Sequence, residues 1–155
     1  MRAIVQRVSR ASVRVDGTVV SSIGPGCCVL LAVGPDDSES VARHLARRIS
    51  QLRIFDDDQG RMNLALSQVG GALLVISQFT LYADTARGHR PSFAKAGPPE
   101  LAARLCETFV DELRRAGHAV AEGSFGAHME VELVNDGPVT VALTSGEGHW
   151  PADAG

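Results

Sequence analysis

Two short polar stretches hold the residue types that can do chemistry. Ser77-Gln78-Phe79-Thr80-Leu81 follows the apolar run Ala72 to Ile76, which reads as a buried strand. Two hydroxyls and an amide therefore gather where a strand ends. Such groups cap a turn as readily as they form a site. By type, Thr80 is a candidate nucleophile, since a hydroxyl can form an acyl intermediate. Nothing near it in sequence can act as its base, which favours a positioning role. The second stretch, Asn135-Asp136-Gly137-Pro138-Val139-Thr140, lies between two β-type runs, Met129 to Val134 and Val139 to Leu143. Proline has no N–H for a sheet ladder, and Gly137 adds backbone freedom beside it. The local pattern is that of a turn between two antiparallel strands. The sharper reading is a shaped Gly-Pro backbone element, trans or cis, that presents carbonyls to a ligand.

Other hydrolytic machinery is missing from the sequence. There is no G-x-S-x-G elbow and no H-E-x-x-H helix. His44, His89, His118, His128 and His149 fall at no ligand spacing, and neither do Cys27, Cys28 and Cys106. No metal and no cofactor are expected. Asp56-Asp57-Asp58 lacks the alternating ligands and terminal Glu of a calcium loop and reads as an acidic turn. The net charge of −3 argues against bulk affinity for nucleic acid, so an RNA partner would need a local basic patch. The best patch is Arg87, His89 and Arg90, with Lys95 close behind. It is either a solvated loop or a contact for RNA phosphate.

SQFTL and NDGPVT, in that order, are far more specific together than apart. The pair resembles the two signature motifs of the D-aminoacyl-tRNA deacylases, the D-Tyr-tRNA(Tyr) deacylase family. The resemblance extends to MRAIVQRVSRASVRVDG, LRIFDDDQGRMNLAL and RGHRPSF, and covers Met1 to Thr144. It implies an intertwined homodimer with two active sites at the subunit interface. It also implies a cis Gly137-Pro138 bond, each subunit's motif reaching into its partner's pocket. The implied activity is hydrolysis of the ester of D-aminoacyl-tRNA, and of glycyl-tRNA mischarged on tRNA(Ala). Ser77, Gln78, Phe79 and Thr80 would be catalytic. Gly137, Pro138, Arg7, Met129, Asn135 and Thr140 would bind substrate and reject L-amino acids. Arg87, His89, Arg90 and Lys95 would touch tRNA.

The missing machinery fits such chemistry. An aminoacyl ester is already activated, and water can attack it once the carbonyl is positioned and its oxyanion stabilised. The resemblance implies help from the terminal 2′-hydroxyl. Backbone N–H groups around Phe79 and Thr80 are the natural oxyanion donors; Gln78 would hold the ribose or adenine edge and Ser77 would orient the loop. Arg7 would brace the Gly-Pro loop, a reading favoured over an exposed strand arginine. Met129 would lie near the pocket, though core packing also explains it. Two other classes stay open: a hydrolase of small D-amino-acid esters or amides, and a non-catalytic nucleic-acid-binding dimer.

The elements that must position these residues suit one domain. The chain has 155 residues, 45% hydrophobic and 21% charged, as in an ordinary soluble globular protein. No apolar run approaches the roughly 20 residues of a membrane span. Three free-looking cysteines suggest a reducing cytoplasm. Ala3 to Val8 and Ala11 to Val15 alternate as strands, and Asp16-Gly17 turns the chain into Thr18 to Ser21. The continuous apolar run Cys27 to Val33 predicts a central strand covered on both faces. Helical spacing predicts helices over Ser40 to Leu52, with Arg43, Arg47 and Arg48 on a solvated face, and over Pro98 to Arg115. The fold expected is α+β: a single domain over residues 1–144, with a mostly antiparallel or mixed sheet in a barrel-like arrangement and two main helices. Residues 145–155 read as a flexible tail. So small a chain leaves little depth for a pocket of its own.

Overall fold

The computed structural model describes residues 1–86 and 88–145. Arg87 and residues 146–155, which include His149, Trp150 and nearly all of the expected tail, lie outside the described residues. Strand β1, Arg2–Val15, is the organising element. Along one side it pairs antiparallel with β8, Glu130–Thr144, throughout. Along the other side it pairs first with β3, Gly26–Ala32, and then, past Val8, with β2, Thr18–Ile23. The two strands expected at Ala3 and Ala11 are thus one strand that changes neighbours. Strand β6, Ala72–Ser77, runs parallel to β3, and β7, Ala119–Glu122, runs parallel to β6. The result is a mixed sheet in the order β2-β1-β3-β6-β7, with β8 attached to β1, curled into an incomplete barrel.

Strand periodicity of two divides the apolar residues between two cores. Ala3, Val5, Val29, Leu31, Leu73 and Val75 face helices α1, Glu39–Ser50, and α3, Pro99–Arg115, which contribute Leu45, Ile49, Leu105, Phe109 and Leu113. Val8, Val13, Cys28, Leu74 and Ile76 form the second core, inside the curl. Strand β3 is therefore central and buried on both faces, as its apolar run predicts. Ser38 caps α1 from its side-chain oxygen, and Glu39 lies in the first turn where the helix dipole favours a negative charge.

Arg43 and Arg47, expected on a solvated face, make ion pairs: Arg43 with Glu39 at 2.8 Å, and Arg47 across to Glu112 of α3 at 2.5 Å. The acidic turn lies between strands β4, Phe55–Asp56, and β5, Met62–Leu64. There the Asp57 carboxylate accepts the backbone N–H groups of Gln59 and Arg61. A short helix α2, Leu66–Val69, precedes β6. No group of metal-ligating side chains occurs among the described residues, and no helix among them is long and apolar enough to cross a membrane.

Candidate active site

The parallel strands β3, β6 and β7 all end at one edge of the sheet, and the loops that leave them enclose a cavity of about 700 Å³. Ligand crevices commonly form outside the carboxyl ends of parallel strands, where the connecting loops leave the sheet. The floor is Leu31 to Val33 and Ile76 to Phe79. One wall is the segment Phe93 to Pro99 with Ala102 and Cys106 of α3, and the other is Phe125 to Met129 with Val131. A single chain thus does hold a pocket, contrary to what its size suggests.

Ser77, Gln78, Phe79 and Met129 all line this cavity. Gln78 leaves the strand by donating its backbone N–H to Leu31 O at 2.7 Å, and Phe79–Tyr82 then forms a 3-10 turn. The first amides of a helical turn have no internal partner. Those of Phe79 and Thr80 make no hydrogen bond among the described residues. Phe79 meets Phe93 edge-on at 5.1 Å between centroids. Thr80 is exposed and does not line the cavity; its hydroxyl accepts from Gln78 Nε2 at 2.5 Å, and no imidazole or carboxylate among the described residues bonds to it. Met129 Sδ accepts the Ser124 N–H at 3.2 Å. Cys106 supplies the strongest potential nucleophile in the wall, but burial, with the Glu122 charge adding, pushes its thiol up to about 11. It stays protonated and inert at neutral pH.

The second stretch lies elsewhere in the chain. It forms no hairpin: β8 runs through it as one strand, and the register with β1 slips between Gln6 and Arg10. Proline is tolerated because β8 pairs with β1 alone, so one ladder is interrupted. Asn135 replaces the missing ladder bonds by donating from Nδ2 to both Arg7 O and Val139 O at 2.9 Å. Thr140 Oγ1 bonds Asn135 Oδ1 and receives Gln6 Nε2. The side chains of Asn135 and Thr140 therefore shape the bulge. The Gly137-Pro138 peptide bond is cis, and Gly137 has φ +127°. A Cβ at Gly137 would lie 2.7 Å from Val139 Cγ2 and 2.9 Å from Val139 N.

Arg7 is buried, not an exposed strand arginine. Its Nε donates to Asp136 O at 3.1 Å and its Nη1 to Ile54 O at 2.7 Å, with Asp56 at 3.3 Å. Strand register separates the two stretches. Ser77 shares a row with Leu31 and Ala3, whereas Arg7 shares one with Cys27 and Leu73. The rows are four residues apart, about 13 Å along the strands. Gly137 and Pro138 are exposed and do not line the cavity.

Of the basic patch, His89 and Arg90 are exposed on the loop that leads to Phe93, and Lys95 pairs with Asp84 at 2.8 Å. Gly97 seats this loop: it donates to Val33 O at 2.8 Å, and a Cβ there would meet Gly34 O at 2.8 Å. Sequence reasoning missed Phe93 and Phe125 in the cavity and Gln6 in the bulge. Gln6 sits in an alternating strand like any outward polar residue, and nothing in its spacing marks it.

Residues 4–144 match the model of the family described as D-Tyr-tRNA(Tyr) deacylase. The chain belongs to that family of hydrolases. It is 59% identical over 145 residues to the D-aminoacyl-tRNA deacylase of Roseiflexus castenholzii, covering 94% of this chain and 92% of that protein. It is 56% identical over 143 residues to that of Deinococcus radiodurans, covering 92% and 99%. Among solved structures, that of the c-Myc DNA Unwinding Element Binding Protein superposes with TM-score 0.87 at 39% identity, covering 93% of this chain and 98% of that one. A probable eukaryotic D-amino acid tRNA deacylase shares the fold, with TM-score 0.78 at 18% identity, covering 92% and 97%.

Proposed function

We propose that the protein hydrolyses the ester of D-aminoacyl-tRNA, releasing the free D-amino acid and tRNA, as a cytoplasmic homodimer. The observation that carries this reading is the Ser77–Thr80 segment at a cavity whose described lining holds no activated nucleophile. Such a site suits an ester that is already activated. The unpartnered Phe79 and Thr80 amides would bind the developing oxyanion. Gln78 would hold the terminal ribose or adenine edge, Ser77 the loop, and the substrate's own 2′-hydroxyl would assist water attack. His89, Arg90 and Lys95, with Arg87, would meet tRNA phosphates.

Chiral selection would come from Gly137 and Pro138 of a second copy. In one chain they point out of an exposed strand, distant from the cavity, and a symmetric dimer can bring one chain's bulge over the other's pocket. Their backbone carbonyls would take the substrate's α-ammonium group. With amine and ester both fixed, an L side chain would run into the Gly-Pro backbone and a D side chain would point to open space. D-Aminoacyl-tRNAs with very different side chains should then be cleaved comparably. Glycyl-tRNA, including that mischarged on tRNA(Ala), has nothing to clash and should be cleaved too.

The test is a set of deacylation rates for D-Tyr-, D-Asp-, Gly- and L-Ala-tRNA. Fast cleavage of the first three with L-Ala-tRNA spared supports the reading; fast cleavage of L-Ala-tRNA, or none of Gly-tRNA, contradicts it. Free D-aminoacyl esters assayed alongside separate it from a small-ester hydrolase. The name of the 39%-identical structure favours one second reading, a nucleic-acid-binding dimer without catalysis. That reading predicts tRNA retention with no hydrolysis, and the net charge of −3 weighs against it.

A further inference from the structure

We propose that Arg2 is a positioning residue for deacylation: from the first strand it fixes the backbone of the Phe79–Tyr82 turn at the cavity mouth. The inference rests on the reading above, in which the amides of that turn meet the reacting carbonyl.

The turn needs an external anchor. None of its four residues is buried. It is closed by Leu81 N–H to Gln78 O at 3.2 Å and Ala83 N–H to Thr80 O at 3.0 Å. Bonds of this 3-10 kind have poorer geometry than α-helical ones, and such a turn is readily deformed. A donor array for an oxyanion works only if it is already in place when charge develops.

Arg2 supplies two contacts to consecutive residues of this turn. Its Nη1 donates to Leu81 O at 2.8 Å. Its guanidinium carbon stands 4.3 Å from the centroid of the Tyr82 ring, within cation–π range. The ring is held on its far end as well, because the phenol oxygen packs so close to Gly34 that a Cβ there would be 2.8 Å away. Asp37 fixes that backbone in turn by accepting the Gly34 N–H at 2.6 Å. Burial first, and then the Asp37 charge, push the Tyr82 phenol up to about 12, so it remains a neutral ring against the cation. Arg2 itself pairs with Ala32 and Thr144 on its two sides, which ties the turn to the middle of the sheet. It does not line the cavity and would touch no substrate.

The experiment compares single-turnover and steady-state kinetics of Arg2→Ala, Arg2→Lys, Tyr82→Leu and Gln78→Ala on D-Tyr-tRNA, with Arg43→Ala as a surface control. Hydrogen exchange of the peptide spanning 78–83 is measured on each folded protein. Displacement by about 1 Å can cost on the order of a hundredfold in rate. Arg2→Ala should therefore lower kcat by about tenfold to a hundredfold with KM little changed, and speed exchange in the 78–83 peptide. Arg2→Lys keeps a charge but not the planar fork, and should fall between Arg2→Ala and wild type. Tyr82→Leu, which leaves Arg2 in place, should show the same pattern more weakly and serves if Arg2→Ala folds poorly. Arg43→Ala should match wild type. Wild-type kcat in folded Arg2→Ala, or unchanged exchange in the 78–83 peptide, overturns the proposal. If Gln78→Ala is impaired while Arg2→Ala is not, Arg2 alone is wrongly assigned; if both behave as wild type, the site reading fails with it.

Discussion

The cavity and the β8 bulge are made in opposite ways from the same sheet. At the cavity, strands end and leave backbone amides without a partner among the described residues, walls come from loops, and the 3-10 turn has no buried residue. At the bulge, a strand is interrupted without ending, and the polar side chains around it are bonded inward. Arg7 takes two backbone carbonyls, Asn135 two more, and Gln6 and Thr140 complete the set. One region leaves donors open for a ligand and the other holds an exposed Gly-Pro backbone rigid. Under the proposed function binding and rejection would be separate tasks, the second needing stiffness because a clash discriminates only if the wall cannot yield.

Mutations can break this contrast from either side. The largest effects belong to the rigid region. Gly137→Ala places a Cβ on Val139 at a φ of +127° that favours glycine. Deacylation of D-Tyr-tRNA should fall by about two orders of magnitude or more, with far-ultraviolet circular dichroism unchanged. Arg7→Ala leaves the buried acceptor of Ile54 unpaired, a cost of about 1–3 kcal/mol, and should lower both Tm and activity. Thermal melts beside initial rates check this.

The open region should respond less uniformly. Gln78→Ala should lose on the order of a hundredfold in kcat. Thr80→Ala should keep measurable activity, because no base among the described residues bonds its hydroxyl. A complete loss in folded Thr80→Ala, with an acyl-enzyme trapped in the wild type, would restore Thr80 as a nucleophile.

Thiol reactivity sharpens the comparison by probing one cysteine near each region. Burial chiefly, with the Cys28 neighbour adding and Arg7 opposing, pushes Cys27 up to about 12; burial pushes Cys28 and Cys106 up to about 11. Ellman's reagent at pH 8 should leave all three native thiols nearly untouched and titrate three after denaturation. Fast reaction of Cys106 would mean that the cavity wall is looser than its packing indicates.

The smallest effect lies in the turn beside Asp56. The Arg61 N–H first, then the Gln59 N–H and the Asn63 amide, hold the Asp57 carboxyl below its usual value. A lowered folded pKa gives stability present above the unfolded value and lost as pH falls through the folded one. Wild type should therefore lose a small increment below about pH 4 that Asp57→Asn does not lose, read from urea midpoints at pH 3 and pH 6.

Much of this was legible in the sequence, for physical reasons. The period-two and continuous apolar runs marked β1 and β3, and spacing of three and four marked α1 and α3. The paired motifs pointed to the family. The course of β8 was not legible. Asn, Asp, Gly and Pro in succession are turn formers, and only tertiary partners, Arg7 from β1 and the Asn135 amide, let a strand continue through them. The parallel pairing of β6 with β3 was equally hidden, since an apolar strand reads the same in either direction. The cavity went unforeseen because its walls come from segments far apart in sequence. Gln6 and Arg7 alternate onto opposite faces of β1, but nothing local shows that a charged Arg7 is buried, at 7% exposure, or that Gln6 bonds the bulge from its surface.

The central claim is that cavity and bulge complete one site only across two chains. The direct measurement is activity of a mixed dimer formed by co-expressing Gly137→Ala with Gln78→Ala, each nearly inactive alone. In a heterodimer one site combines both defects and the other is intact, so random pairing should restore about a quarter of the wild-type sites. Recovery to that level on D-Tyr-tRNA is the result predicted. Heterodimers that form, as seen by native mass spectrometry, and yet stay as inactive as their parents would contradict it.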